Sequence, residues 1–229
     1  MGQMDVVCVG AHPDDVEIGM GGTVASMVRD GLSVAIVDLT DGEPTPAGTR
    51  STRLAEAAEA ARILGVAERR TLELPNRSLA DTTTARTALA EVFREMKPQV
   101  VFGPYPLDAH PDHIAAAAIV QASRFWAKLT KTEMRGDPHY PSRHYRYMAV
   151  HMRLIREPSF VIDISEVMET KLSALRAYRS QFFANPANAA VIDTVEQTGR
   201  MWGAAVGAET GEPFFSDEPL GLDSVRSLL

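Results

Sequence analysis

The sequence predicts an α/β fold, a mostly parallel sheet flanked by helices. Apolar runs of strand length recur at 4–9, 33–39 and 100–103. Each is followed by a longer stretch in which apolar residues return at helical spacing. Strands that alternate with helices in this way are satisfied by parallel pairing through right-handed crossovers. At 229 residues the chain suits one domain spanning 1–229 with a substantial core. No solenoid-length repeat or low-complexity segment marks a boundary inside it.

The first strand, 4–9, leads into Gly10-Ala11-His12-Pro13-Asp14-Asp15-Val16-Glu17, and a helix follows over 18–30. Gly19, Gly21, Gly22 and Thr23 at its mouth let the backbone pass close to something. A dinucleotide pyrophosphate is the rival use, with Asp38 at the end of the next strand as a ribose-binding acid. The G-x-G-x-x-G spacing is absent, and Asp14, Asp15 and Glu17 would face the phosphates. Close helix-to-strand packing is therefore the expected use of these glycines.

Residues 41–52, polar and rich in Gly, Pro and Thr, form a loop. The Ala-rich stretch 53–64 reads as an amphipathic helix stopped at Gly65. A short strand is expected at 70–74. Asp81 then caps a helix that runs to Met96 and is stopped by Pro98. The strand at 100–103 precedes His110-Pro111-Asp112-His113 and a helix over 114–128.

Periodicity lapses over 130–146, where Lys131, Arg135, His139, Arg143, His144 and Arg146 lie among Pro and Gly. This reads as a long connection, with a gate or an oligomer contact as the alternatives to a solvated loop. Strands follow at 147–154 and 160–164. A helix over 167–182 packs through Met168, Leu172, Leu175, Tyr178 and Phe182, and a last helix spans 191–206. The acidic tail, 209–229, shows no assignable element.

The chemistry concentrates in the two His-Pro-Asp turns, each at the end of a strand. Pro13 fixes its own φ and pushes His12 toward an extended backbone, which sets the separation of His12 and Asp15. One such turn is as readily a plain structural turn with an N-cap. Two, each at a strand end, are hard to explain that way. Together they supply three ligands, His12, Asp15 and His113, and leave Asp14 and His110 unligated. Imidazole and carboxylate suit Zn²⁺, and a catalytic zinc wants three protein ligands and one open position. His139, His144 and His151 have no partner at ligand spacing and receive no metal role.

Ala-His-Pro-Asp-Asp with Gly-Gly-Thr downstream, paired with His-Pro-Asp-His, resembles the zinc-dependent PIG-L/LmbE-like N-acetylglucosamine deacetylases. Thr40-Asp41-Gly42-Glu43, Gly48-Thr49 with Arg53 and Glu56, Leu74-Pro75-Asn76-Arg77 and residues 171–182 extend the likeness over nearly the whole chain. The last group is most similar to the bacillithiol-biosynthesis branch, which deacetylates N-acetylglucosaminyl malate. Ala109 departs from that branch, which often carries a basic residue just before the second motif.

The resemblance implies a Rossmann-like three-layer fold and a soluble cytoplasmic enzyme. It also implies one zinc ion per chain, or another divalent metal in its place, and a homo-oligomer, trimer or hexamer. Its implied reaction is hydrolysis of the N-acetyl group of a GlcNAc conjugate. Asp14 would take the proton of the attacking water. His110, protonated, would stabilise the oxyanion. Asp112 would keep that imidazole charged and oriented. Either Asp14 or His110 would return the proton to the amine. Arg53 pairs on spacing alone with Glu56 or Glu59 of its own helix; the resemblance favours an anionic group on the substrate. The alternatives are deacetylation of chitobiose or another GlcNAc-containing molecule, a thiol-conjugate amidase, and a non-catalytic metal- or sugar-binding module. That module would have no use for Asp14.

Composition narrows the partners. With 45% hydrophobic and 23% charged residues the chain is an ordinary globular one. A net charge of −7 argues against nucleic acid and anionic membrane, and obliges any anionic substrate to find a local cation. Cys8, the single cysteine, excludes an internal disulfide and falls in an apolar strand, where packing is its expected role. No signal peptide or membrane-length apolar run is seen.

Overall fold

The computed structural model describes residues 3–148, 150, 151, 156–221 and 224. Among these, seven strands form one sheet: β1 (Val6–Gly10), β2 (Val34–Asp38), β3 (Glu68–Thr71), β4 (Val100–Pro104), β5 (Arg143–Tyr147), β6 (Phe160–Asp163) and β7 (Gly211–Phe215). Their order across the sheet is β3-β2-β1-β4-β5-β7-β6. All pairs from β3 to β5 are parallel, and β7 runs antiparallel to both its neighbours.

The helices are α1 (Asp15–Arg29), α2 (Arg50–Leu64), α3 (Thr83–Met96), α4 (Pro111–Ala127), α5 (Met168–Ala177), α6 (Arg179–Phe182) and α7 (Val191–Ala205). The strand residues alternate between two cores. Val6, Cys8, Val34 and Ile36 pack against α1, α2 and α5. Val7, Val9, Ala35 and Val37 pack against α3 and α4. Burial on both faces is why β1 and β2 read as unbroken apolar runs. Cys8 lies wholly inside the first of these cores, as its position in the sequence suggests.

The order 2-1-4 matters for function. From β1 the chain crosses to β2 on one side, while β4 lies on the other, so the sheet changes winding direction between β1 and β4. A crevice opens at the carboxyl ends of such a pair. Both His-Pro-Asp turns leave these two adjacent ends.

The glycines of α1 serve close packing. A Cβ on Gly19 would lie 2.4 Å from the Tyr147 ring, and one on Gly22 would lie 2.7 Å from Ile164. Between them Met20 leaves helical geometry (φ −153°, ψ 22°). The backbone N–H groups of Gly22 and Thr23 freed near this kink donate to the buried carboxylate of Glu212, at 3.0 and 2.7 Å. Lys171 neutralises it at 2.5 Å. The start of β7 thus caps the second half of α1 from a distant part of the chain.

Several expectations change. The third strand begins at Glu68 rather than 70, in register with Ala35. Thr82, not Asp81, caps α3 through its hydroxyl, while Asp81 holds Arg86. The expected connection at 130–146 contains most of β5, whose Arg143, His144 and Arg146 hid it as a strand. The strand expected at 147–154 meets β5 only at Tyr147, and residues 149 and 152–154 lie outside the described residues. The helix expected over 167–182 is broken at Tyr178 (φ −80°, ψ 64°), yet all five of its expected packing residues are buried. The tail supplies β7, an interior strand of the sheet; its residues 222, 223 and 225–229 lie outside the described residues. Among the described residues no helix is long and apolar enough to cross a membrane.

Candidate metal and catalytic site

Each motif turn closes on itself. The His12 amide donates to Asp15 Oδ2 at 2.9 Å, while the Asp15 amide returns a bond to the His12 carbonyl at 3.3 Å. In the second turn the His113 amide donates to the His110 carbonyl at 3.1 Å. The first turn is pinned to β2 through the Gly10 and Ala11 carbonyls, which accept from the amides of Leu39 and Thr40.

The turns bring His12, Asp15 and His113 together, all buried, with potential ligand atoms within 4.8 Å of one another. Asp15 sits between the rings: Oδ2 lies 3.4 Å from His12 Nδ1, and Oδ1 lies 3.2 Å from His113 Nε2. His113 Nε2 is buried and makes no hydrogen bond among the described residues. The far nitrogen of each ring meets a carboxylate. His113 Nδ1 lies 2.8 Å from Asp108 Oδ2, and His12 Nε2 lies 3.3 Å from Asp112 Oδ2. A metal-binding histidine is held in this manner, one nitrogen on a carboxylate and the other turned inward. The donor set therefore fits a divalent metal.

A second grouping, His12, His110 and Asp112, is also close enough. It fits less well, because Asp112 Oδ2 already accepts from the Arg77 amide at 2.6 Å as well as facing His12.

The charges of these side chains follow from their contacts. Burial alone would pull His113 down, but Asp15 and Asp108 outweigh it and raise it to about 10. Burial would raise Asp15, and the two imidazoles reverse this and hold it well below the usual carboxylate range. Asp14 behaves differently. Burial pushes it up to about 7, with help from Asp15 and Glu17 and against the pull of Arg53. Two adjacent carboxyls thus have opposite tendencies, the pattern of an acid–base group beside a ligand.

Asp14 sits at φ 107°, a left-handed backbone that non-glycine residues rarely adopt. Arg53 clamps it there. Its Nη2 donates to the Pro13 carbonyl at 2.5 Å and to Asp14 Oδ2 at 3.1 Å. Arg53 is 3% exposed and lies over the Tyr178 ring at 5.7 Å. Neither Glu56 nor Glu59 holds it, since Glu56 accepts from Ser180 and Glu59 from Arg62. The guanidinium expected to meet an anion on the substrate is therefore engaged with Asp14.

His110 and Asp112 also differ from expectation. His110 is the N-cap of α4, and its Nδ1 accepts the Asp112 amide at 3.1 Å. A nitrogen that accepts carries no proton, so the ring is neutral with its hydrogen on Nε2. Burial, His113 and His12 lower its pKa, with Asp112 opposing. The Asp112 carboxylate makes its hydrogen bonds with His12, Arg77 and Leu79 instead. Its hydrogen bonds hold the His12 ring and the 77–79 loop, and it acts on His110 only through its charge, which burial and the neighbouring imidazoles outweigh.

Asp108 and His151 were missed by sequence reasoning. Asp108 has a local signal, an acid two residues before the motif, and its Oδ1 accepts the His110 amide at 3.1 Å. His151 has none. It reaches the site across the fold, with its ring 5.1 Å from that of His113. A cavity of about 600 Å³ opens over these groups, lined by His12, Asp14, Asp15, Arg53, His110 and His151 at its base.

Fold and site together define an α/β protein whose switch-point crevice holds a His₂Asp donor set beside an unligated carboxylate. The comparisons give the family. The GlcNAc-PI de-N-acetylase (PIG-L) model matches residues 7–123, and the chain belongs to that deacetylase family. It is 33% identical to the diacetylchitobiose deacetylase of Thermococcus kodakarensis, over 77% of this chain and 70% of that protein. It is 29% identical to the 1D-myo-inositol 2-acetamido-2-deoxy-alpha-D-glucopyranoside deacetylase of Saccharomonospora viridis, over 78% and 85%. Its fold matches a conserved protein of Thermus thermophilus with a TM-score of 0.89 and 38% identity, covering 97% and 99% of the two chains.

Proposed function

We propose that this chain is a zinc-dependent hydrolase that removes the N-acetyl group of a small GlcNAc conjugate. The observation that carries the reading is the placement of Asp14, a carboxyl that lines an open cavity beside three converging ligand groups. N-acetylglucosaminyl malate, a bacillithiol precursor, is the proposed substrate, from the resemblance in residues 171–182. Diacetylchitobiose is the second, favoured by the 33% identity to an enzyme of that name.

His12, Asp15 and His113 would hold the metal. When bound, it supplies Lewis acidity, lowering the pKa of a water toward roughly 7 and polarising the acetamide carbonyl. Asp14 takes a proton from the water as the oxygen adds to the carbonyl carbon. His110 Nε2–H donates a hydrogen bond to the carbonyl oxygen as it gains charge. A neutral imidazole that gave up this hydrogen would become an imidazolate, so His110 does not supply the amine's proton. Asp14 returns the proton it took to the departing nitrogen, and the C–N bond breaks to leave acetate and a free glucosamine amine. Asp14 lines the cavity next to the ligand group Asp15, a position from which one carboxylate can accept that proton and return it.

The test is Asp14→Asn. Asparagine tolerates the left-handed backbone, so the change isolates the charge. We expect a loss of about 10²- to 10⁴-fold in amine release with metal content retained. Turnover near wild type in this variant would sink the mechanism, and metal binding without any turnover by the wild type would favour the non-catalytic module.

A further inference from the structure

The proposed reading leaves open how an acidic protein recognises a negatively charged conjugate, since Arg53 is buried against Asp14. The cavity holds one other cation among the described residues, Arg77 at its rim. We infer that Arg77 is the specificity-determining residue of this site, binding an anionic group attached to the sugar. The inference rests on the deacetylase reading above.

Two features place Arg77 for this. Its backbone is tied to the metal donors: the Arg77 amide donates to Asp112 Oδ2 at 2.6 Å, the same oxygen that lies 3.3 Å from His12 Nε2. It also donates to Asn76 Oδ1 at 3.0 Å, and the residue is fixed at φ 63°. Its guanidinium reaches the facing loop, where Nη2 donates to the Pro44 carbonyl at 2.7 Å. The side chain thus spans the cavity mouth between the layer behind the metal donors and the 44–46 loop.

The guanidinium is also available. The Pro44 carbonyl is its only hydrogen-bond partner among the described residues, and the residue is exposed. Five N–H donors in a planar fork match a carboxylate, and one bond leaves most of them open. The cavity lining also includes neutral polar groups, Gln181, Asn185, Asn188 and Thr194, which can bond sugar hydroxyls and carry no charge. With the acetamide at the metal donors, the substituent on the sugar points outward to this rim. A carboxylate there meets Arg77, and a neutral sugar meets the amides.

The experiment measures kcat/KM for N-acetylglucosaminyl malate and N,N′-diacetylchitobiose with wild type, Arg77→Gln and Arg77→Lys. We expect the malate-to-chitobiose ratio to fall about 10- to 100-fold in Arg77→Gln, the scale of a hydrogen bond to a charged group. Arg77→Lys, which keeps the charge without the fork, should recover part of it. An unchanged ratio in Arg77→Gln overturns the inference, as does a wild type that hydrolyses chitobiose but not the malate conjugate. A wild type that hydrolyses neither rejects the deacetylase reading and this inference with it.

Discussion

Asp108 Oδ2 stands 2.8 Å from His113 Nδ1, and this contact fixes which nitrogen of the ring faces the site. With Nδ1 on the carboxylate, Nε2 is left buried beside Asp15, without a hydrogen bond among the described residues. Asp108 also accepts from the amides of His110 and Val150, so it ties the second motif to the segment that carries His151. Replacing Asp108 with Ala should weaken metal binding by about 10- to 100-fold, as losses of such partners do. Titration against a competing chelator measures this directly. Unchanged affinity would mean that His113 is oriented by packing alone.

Arg53 yields a prediction opposite to the one the sequence suggests. Its bonds to Pro13 and Asp14 hold Asp14 in a left-handed backbone, so under the proposed mechanism its loss should misplace that carboxylate rather than weaken one class of substrate. Arg53→Ala should lower kcat about 10²-fold, with similar factors for the malate conjugate and chitobiose. A rise in KM confined to the malate conjugate would return Arg53 to substrate binding.

His110 carries two roles that can be separated. Nδ1 caps α4, and under the proposed mechanism Nε2–H meets the developing oxyanion. His110→Ala should cost about 1 kcal/mol of stability from the lost cap and about 10²- to 10³-fold in kcat. His110→Asn restores a capping side chain and should recover the stability but not the rate. Recovery of both would show that the imidazole acts only as a cap.

The legible parts of this molecule are those whose cause is local. The β1 and β2 runs are apolar throughout because both faces are covered, and the motif turns carry their Pro and Asp in sequence. Parallel pairing could be argued from alternation, but that β1 and β4 are neighbours, which sets the two turns side by side, is seen only in the folded chain. β5 was hidden because the partners of its charged residues lie elsewhere: His144 on Gln121, Arg146 on Gln121 and Asp217. The break at Tyr178 was hidden for the same reason, since its hydroxyl donates to Glu17 at 2.8 Å across the core. Nearness in sequence pointed Asp112 at His110, whose ring its amide does meet, but could not show that its carboxylate turns to His12, a hundred residues away.

His144 gives a prediction about stability that does not involve the candidate site. It is 9% exposed; its Nδ1 lies 3.1 Å from Gln121 Oε1, and Nε2 has no partner among the described residues. Burial, then Arg146 and Arg124, push its pKa down to about 3, with Asp217 opposing. An unfolded histidine titrates near 6.5. Between these values the unfolded chain binds a proton that the folded chain does not, so stability rises with pH across this window and is lost as pH falls below about 6.5. The limiting slope for one proton is about 1.4 kcal/mol per pH unit. His144→Gln removes the titrating group, so the stability difference between variant and wild type should narrow as pH drops from 7 to 5. Comparing the two proteins cancels the other titrating groups, which both share. Urea unfolding at pH 7, 6 and 5 measures the difference, and parallel pH profiles would show that His144 is protonated in the folded chain after all.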